Sequence, residues 1–321
     1  MQYDAFLLVS FGGPEGPDEV IPFLENVLRG RNVPRERMLE VAEHYQHFGG
    51  VSPINAQNRA LLAAVEQELR SHDIDLRLYW GNRNWHPFLA DTMQQMKQDG
   101  VRRALAFMTS AYSSYSGCRQ YREDVARAQS TLENPPAVDK LRVFYNHPGF
   151  IGAQTELLRA TLESCPGPVL FTAHSLPMGM SDRCRYVEQL TEAARLVAEA
   201  AGVSDYRLVY QSRSGPPSQP WLEPDVLEVM RTMRGSVVLC PVGFISDHME
   251  VLYDLDTEAR DLAAELGLRF ARCPTVGTHP RFVSTVRELV EERLGLRSER
   301  EALGRLGPSH DVCPETCCLP R

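Results

Sequence analysis

Short apolar runs along the chain alternate with longer segments in which apolar residues recur every three or four positions. The short runs predict strands at Ala5–Ser10, Arg77–Gly81, Ala104–Thr109, Val169–Ala173, Arg207–Gln211 and Val237–Val242. The longer segments predict helices at Asp18–Arg29, Ala56–Ser71, Pro87–Asp99, Gln120–Leu132, Phe150–Ser164, Tyr186–Ala201, Pro224–Arg234 and Asp254–Leu266. Strands that alternate with helices in this way are typical of a parallel sheet covered by helices on both faces.

The strand and helix unit occurs three times before about residue 145 and three times after it. We therefore expect an α/β fold of two Rossmann-like, doubly wound lobes, each with a parallel sheet of the four-stranded type, and a cleft between them. The predicted domains are residues 1–147, residues 148–300 and a cysteine-rich tail at 301–321. Ligands of such sheets bind beyond the carboxyl ends of the strands, so residues that follow strands are the first site candidates.

Charge and hydropathy narrow the function classes. The chain has 34 Lys and Arg residues against 42 Asp and Glu residues, a net charge of −8, so a nucleic-acid partner is not expected. No apolar run reaches the roughly 18 residues of a membrane span. The start, MQYDAFLLVS, lacks the basic region of a signal peptide. We expect a cytoplasmic protein without integral membrane association, and we favour a monomer.

Two segments that follow predicted strands carry groups suited to proton transfer or metal binding. His174 ends the strand VLFTAH, and its ordinary pKa near 6.5 suits acid–base work; a hydrogen-bonded structural histidine is the alternative. The segment SDHMEVLYD, residues 246–254, carries a second histidine and several carboxylates, for which a solvated helix start is the alternative. Histidine with a carboxylate forms either an acid–base pair or a site for a hard or borderline ion such as Fe(II).

The turn FGGPEG after the first strand is a weak candidate for phosphate binding. Its glycines lack the G-x-G-x-x-G spacing, and Pro14 removes one backbone N–H that a phosphate would use. A tight strand-to-helix turn explains the glycines, but it does not explain Phe11 at the edge where ligands bind.

The segments SFGGPEG, HFGGVSPIN, TAHSLP, QSRSGPPSQPWLEP and PVGFISDHMEVLYDLD, in this order and spacing, resemble those of the ferrochelatases, which insert ferrous iron into a porphyrin. The resemblance runs from about Tyr3 to Arg293. Within the family the chain is most similar to the actinobacterial branch. That similarity implies a haem-biosynthesis enzyme that inserts Fe(II) into coproporphyrin III, rather than protoporphyrin IX, and passes coproheme to later haem-pathway enzymes.

The resemblance also implies roles for individual residues. His174 would abstract pyrrole protons, handle the metal, or both, and Glu250 would guide the metal or relay protons. A supporting shell would consist of Asp247, His248, Tyr253 and Asp254. Porphyrin contacts are implied for Phe11, Arg29, His44, Ser52 and Tyr121.

Two of these implied porphyrin contacts depart from the family pattern. Other branches carry Tyr or Met in place of Phe11, whose phenyl ring cannot ligate a metal. Some coproporphyrin enzymes carry Arg where this chain has His44. Arg119 or Arg31 could supply the missing positive charge to a propionate.

Three of the eight cysteines, Cys313, Cys317 and Cys318, lie in the last nine residues. A reducing cytosol disfavours disulfides, so the cluster indicates a metal centre, either iron–sulfur or zinc. The tail resembles those of ferrochelatases in which three late cysteines and one internal cysteine hold a [2Fe–2S] cluster. Cys118 is the favoured internal ligand, with Cys165 and Cys184 as alternatives.

Other functions remain open at this point. One is insertion of iron into protoporphyrin IX. Another is a non-catalytic tetrapyrrole or iron–sulfur binding protein that kept the fold. A third is a chelatase for a different ring or metal, such as cobalt and a sirohydrochlorin-type ring.

Overall fold

A computed structural model of the protein describes residues 3–30, 33–216 and 218–320. Arg31, one of the candidate propionate ligands, lies outside these ranges. The strands are β1 Ala5–Ser10, β2 Arg77–Asn82, β3 Arg103–Met108, β4 Ala137–Lys140, β5 Val169–His174, β6 Tyr206–Gln211, β7 Ser236–Cys240 and β8 Arg269–Arg272.

The α-helices are α1 Val20–Val27, α2 Arg35–His47, α3 Ile54–Ser71, α4 Leu89–Gln98, α5 Gln120–Ser130, α6 Pro148–Ser164, α7 Met178–Ser181, α8 Tyr186–Ala201, α9 Val226–Arg231, α10 Met249–Tyr253, α11 Arg260–Glu265 and α12 Pro280–Leu294. A 3₁₀ turn, Pro17–Glu19, precedes α1. Two π-helical segments, Tyr115–Arg119 and Asp254–Ala259, lead into α5 and α11.

One compact unit comprises the chain up to Thr109 together with Tyr121–Lys140. Its four strands are parallel in the order β2-β1-β3-β4. Every residue of β1 is buried, because β1 is an inner strand with apolar side chains on both faces. Leu7 and Val9 of β1 pack with Met93 and Met96 of α4, which places the core of this unit between sheet and helix.

The other unit comprises Ser110–Gln120 and the chain from Leu141 onward. It repeats the same arrangement, with parallel strands in the order β6-β5-β7-β8. Its core contains Val209, Val237 and Leu239 from the sheet and Val251 and Leu255 from the helical stretch that follows β7. The two four-stranded parallel sheets confirm the predicted fold class.

The segment Ser110–Gln120 belongs to the second unit because of its side-chain contacts. The buried Tyr112 hydroxyl donates to the Val242 carbonyl at 2.8 Å, and the Ser113 N–H donates to the Gln189 side chain at 2.7 Å. Such contacts between distant residues leave no local sequence signal. The chain therefore passes between the two units after Thr109, Gln120 and Lys140, whereas the predicted boundary lies between residues 147 and 148.

Two strands, β4 and β8, and four helices, α2, α7, α10 and α12, are not among the predicted elements. The strands β4 and β8 are four residues long, carry charged residues and pair with one neighbour each, so they lack the apolar run of an inner strand. Helix α2 is largely polar. Helix α12 did carry a start signal, since His279 caps it and Pro280 occupies its first turn.

Candidate active site

His174 lies at the carboxyl end of β5, where the chain order of the second sheet reverses between β5 and β7. This is the position at which doubly wound sheets bind ligands. Its Nδ1 contacts the Ser175 carbonyl, and a carbonyl only accepts, so the ring proton is on Nδ1. The Tyr186 hydroxyl donates to the His174 carbonyl at 3.0 Å. The backbone is thus fixed, and Nε2 is the atom that exchanges a proton.

Glu250 faces this histidine from helix α10, which follows the neighbouring inner strand β7. Its Oε2 lies 3.7 Å from His174 Nε2. The loop after β7 ends at His248, which is the N-cap residue of α10, so Glu250 lies in the first helical turn. A carboxylate is favoured there by the helix dipole. Helix α10 begins at Met249, ahead of the predicted helix Asp254–Leu266.

Burial lowers the pKa of His174, but the Glu250 carboxylate outweighs burial and raises it to about 9. Burial also raises the pKa of Glu250, but the imidazolium reverses this and brings it to about 2. About half of the Glu250 side chain is exposed, so solvent weakens the attraction. The directions nevertheless agree, and the free protein holds an imidazolium and a carboxylate near pH 7.

Asp254 lies one turn after Glu250 and opens the π-helical segment. Burial, followed by the neighbouring Glu250, raises its pKa to about 7. Ser212 and Gln211 both donate to Oδ2, with Gln211 at 3.1 Å. Burial also raises the pKa of Glu258, which in turn acts on Asp254. Glu250, Asp254 and Glu258 therefore form a series of three carboxyl groups of unequal acidity, and the first of them contacts His174.

The other predicted supporting residues have different tasks. Asp247 forms an ion pair with Arg272 at 2.6 Å, which fixes the loop before α10 to β8. His248 packs its ring on Phe244 at 5.2 Å between centroids, and burial lowers its pKa. Tyr253 is half-buried at the end of α10.

In the first unit, two of the predicted porphyrin contacts share one cation. The Arg83 guanidinium lies 5.8 Å from the ring centroid of Phe11 and 4.7 Å from that of Tyr121. Arg83 also forms an ion pair with Asp124, and both side chains are nearly buried. Sequence reasoning missed Arg83, although it follows β2 directly and so met the rule that site residues follow strands.

The remaining predicted porphyrin contacts lie along the same unit. Arg29 is exposed just after α1. Burial, with Arg37 nearby, lowers the pKa of His44, so this imidazole is neutral at pH 7. Ser52 is buried against the FGGPEG turn, and its N–H donates to the Pro14 carbonyl at 2.8 Å. A Cβ on Gly13 would lie 2.6 Å from Ser52 Cβ, which explains that glycine.

Arg119 contacts the cysteine tail. Its guanidinium donates to the carbonyls of Glu315 at 2.5 Å and Cys317 at 3.1 Å. The proposal that Arg119 binds a propionate therefore has no support in these contacts, which instead attach the tail to the turn that carries Cys118.

The tail brings several metal-ligand side chains together. Cys317 Sγ lies 3.5 Å from Cys318 Sγ and 3.7 Å from His310 Nε2, and donor atoms of His310, Cys313 and Cys317 lie within 4.8 Å of one another. A tetrahedral metal with sulfur ligands at about 2.3 Å would hold them roughly 3.8 Å apart. These residues thus fit a thiolate-bound metal centre.

Burial, and then the neighbouring thiols Cys317 and Cys184, raise the pKa of Cys318. Cys184 is therefore a neighbour of the tail, and Cys118 is buried in the π-helical turn beside Arg119. Cys318 adopts a left-handed backbone, φ 54°, which is unusual for a residue with a side chain. Cys118 and Cys184 accordingly stay open as internal ligands, as does the third candidate, Cys165, which is buried at the end of α6.

Comparison with known structures identifies the architecture. The sirohydrochlorin chelatase SirB from Bacillus subtilis subspecies spizizenii, solved in complex with cobalt, superposes with a TM-score of 0.55. The alignment covers 92% of this chain and 98% of that one at 13% identity. The fold is therefore that of the chelatases.

Sequence comparison gives the family. The ferrochelatase family model matches residues 3–294. A ferrochelatase from Rhodopirellula baltica is 60% identical over 99% of this chain and 93% of its own length. A coproporphyrin III ferrochelatase from Streptomyces griseus is 50% identical over 99% of this chain and 94% of its own length. The chain belongs to the ferrochelatase family, as predicted, and is a metal-chelating enzyme of haem biosynthesis.

Each helix in the described part of the chain is too short or too polar to cross a membrane.

Proposed function

We propose that this ferrochelatase inserts ferrous iron into coproporphyrin III, so that Fe(II) replaces two pyrrole protons and coproheme is the product. The observation that carries the substrate is the similarity, across nearly the whole chain, to relatives named for coproporphyrin III. The Rhodopirellula relative is named for the reaction alone. The porphyrin is therefore the part that needs a direct test.

His174 is the proposed base. In the free protein its proton is held by the charge of Glu250 against the effect of burial. A divalent cation that engages Glu250 offsets that charge, so burial then dominates and Nε2 releases its proton. The imidazole becomes able to accept a pyrrole proton when iron is present. This ordering couples deprotonation of the ring to arrival of the metal.

Asp254 is the proposed acceptor for the released protons. A carboxyl group with a pKa of about 7 can both take and release a proton at neutral pH. Glu258 continues the acidic series. We propose that protons leave from His174 along these carboxyl groups of the π-helical segment.

The first unit supplies the porphyrin contacts in this proposal. Phe11 and Tyr121 would pack on the macrocycle, oriented by Arg83 between them. Arg29 would pair with a propionate, since an exposed guanidinium can bind a carboxylate bidentately. Ser52 and the neutral His44 would contribute hydrogen bonds to propionates rather than charge.

The cysteine tail would hold a [2Fe–2S] cluster through Cys313, Cys317, Cys318 and one internal cysteine, for which Cys118 remains our choice. When bound, such a cluster supplies one-electron redox chemistry and a cross-link between the tail and the rest of the second unit. The cytoplasmic location, the monomeric state and the transfer of coproheme to later haem-pathway enzymes also stay predictions.

Anaerobic insertion of Fe(II), followed by absorbance, with coproporphyrin III and protoporphyrin IX in parallel, tests the substrate. We expect clear preference for coproporphyrin III in kcat/KM. Equal or reversed preference would retain the reaction but overturn the substrate. Failure with both porphyrins would favour a binding protein or a chelatase for another metal. The matched control is Glu299→Gln, an exposed carboxylate whose replacement should leave both rates unchanged.

A further inference from the structure

A second cluster of metal-ligand side chains lies in the second unit. It joins the start of α6, the later part of α12 and the segment that follows α12. A ring nitrogen of His147 and one carboxylate oxygen each of Glu288 and Glu301 lie within 4.8 Å of one another. A cavity of about 340 Å³ lies beside them, lined by both glutamates and by Arg281 and Ser284. Neither the reaction nor the cysteine tail uses these residues.

The His147 side chain is completely buried, and its Nε2 has no hydrogen-bond partner. That nitrogen lies 3.3 Å from Glu288 Oε2. Burial, followed by Arg142 and Arg297, lowers the pKa of His147 to about 3, so the ring is neutral. A neutral imidazole offers no positive charge to the two carboxylates. Buried polar atoms without partners are rare, and each calls for an explanation such as a bound ion.

The surroundings of the ring allow Nε2 to act as a ligand. The Thr285 hydroxyl donates to the Arg281 carbonyl at 2.9 Å and lies 3.2 Å from Nδ1. Its oxygen can therefore accept a hydrogen bond from Nδ1–H, and in that tautomer the free lone pair is on Nε2. In the other tautomer, Nδ1 accepts from the Gly149 N–H at 3.2 Å and Nε2–H faces Glu288. Metal binding would select the first tautomer.

Arg297 holds both carboxylates in place. Its guanidinium contacts Oε1 of Glu288 at 3.0 Å and Oε1 of Glu301 at 2.9 Å. The histidine contact of Glu288 uses the other oxygen, Oε2. The arginine thus orients the carboxylates and offsets part of their charge. One imidazole nitrogen with two carboxylate oxygens is a donor set for borderline divalent metals.

We propose that His147, Glu288 and Glu301 bind a divalent transition-metal cation, as a structural site separate from the substrate iron and from the cysteine tail. The cation would tie α6 and α12 to the segment that leads into the tail. That segment already bonds to the same region, since the Leu303 N–H donates to the Asn146 carbonyl at 2.8 Å. Bound cation would therefore stabilise the attachment of the tail segment.

The test uses the full-length protein, anaerobic and without porphyrin, titrated with Mn²⁺, which competes poorly for thiolates. Free Mn²⁺ is counted by electron paramagnetic resonance, and thermal unfolding is recorded with and without the metal. We expect Glu301→Gln and His147→Asn each to bind one Mn²⁺ fewer than wild type and to lose the metal-dependent rise in unfolding midpoint. Asparagine at 147 can still cap α6.

Two controls separate this site from others. Glu299→Gln removes the same charge from an exposed position and should bind Mn²⁺ like wild type. Glu250→Gln should remove any ion bound near His174 while the proposed site remains. Equal Mn²⁺ binding and equal midpoint rise in wild type and Glu301→Gln would overturn the proposal, as would an equal loss in Glu299→Gln. Iron insertion without Mn²⁺ should be unchanged in Glu301→Gln, so failure here is distinguishable from failure of the proposed reaction.

Discussion

The protonation state of His174 depends on one neighbour. Burial lowers its pKa, and Glu250 at 3.7 Å reverses the direction. In Glu250→Gln the carboxylate is gone, so the pKa of His174 should fall well below about 9. Nuclear magnetic resonance of the ring proton against pH measures this shift.

The same variant should lose iron insertion by about 10²-fold or more, as expected when a positioned acid–base group is removed. Asp247→Asn is the matched control, because Asp247 pairs with Arg272 and should leave the pKa of His174 unchanged. An unchanged pKa in Glu250→Gln would contradict the assignment of that carboxylate as the cause.

Arg83 is the residue whose importance emerged from the structure. Arg83→Met should raise the KM for porphyrin with a smaller change in kcat, because Phe11 and Tyr121 lose the cation between them. It should also lower stability by about 1–3 kcal/mol, since the nearly buried Asp124 keeps only the exposed Arg127 as its partner. Steady-state kinetics and chemical unfolding measure the two effects.

A double variant separates the two roles of Arg83. Arg83→Met with Asp124→Leu removes both charges and should recover much of the stability, while the raised KM persists. If both the KM and the stability of the double variant returned to the wild-type values, Arg83 would act only by stabilising the fold.

At the scale of the element, the π-helical segment Asp254–Ala259 carries two carboxyl groups, Asp254 and Glu258, whose pKa values are raised by burial. Burial raises the pKa of Asp254 from 3.8 to about 7, so the folded state binds this proton more tightly than the unfolded chain. Its contribution to stability is present below about pH 4 and is lost as the pH rises through 7.

Asp254→Asn should therefore be more stable than wild type at pH 8, by about 1–2 kcal/mol, with the difference shrinking towards pH 4. Unfolding midpoints across this pH range test the sign. Asp256→Asn breaks an ion pair with Arg272 and should destabilise the protein at pH 8. A loss of stability in Asp254→Asn at pH 8 would show that its bonds to Gln211 and Ser212 outweigh burial.

At the scale of the whole molecule, the tail from Cys313 onward is joined to the rest of the second unit through Arg119 and the thiol cluster. Deleting Cys313–Arg321 should remove the visible absorbance of an iron–sulfur centre from anaerobically purified protein. Cys118→Ser should remove it as well, whereas Cys165→Ser and Cys184→Ser should retain it.

Two results would change the assignment of the tail. Loss of absorbance in Cys184→Ser, with retention in Cys118→Ser, would transfer the internal ligand to Cys184. If the purified protein contained zinc in place of iron, the cysteine ligands would stay assigned, and a zinc site would replace the iron–sulfur cluster in the assignment.

The sequence by itself determined the six longer strands, most helices, the chelatase family and the position of His174 at the end of a buried strand. Those features depend on hydrophobic periodicity and contiguous motifs, which near neighbours in the chain encode. The strands β4 and β8 were not predicted, because four residues that include charged ones form no apolar run.

Only the tertiary structure decided the proton state of His174, the task of Arg83, the attachment of Arg119 to the tail and the cluster around His147. Each depends on the distance between groups far apart in the chain, and on how much water separates them. Electrostatic interactions change several-fold with burial and separation, and neither quantity is written in the local sequence. The residue types indicated which chemical groups were available, and their positions in the fold decided the protonation states and partners of those groups.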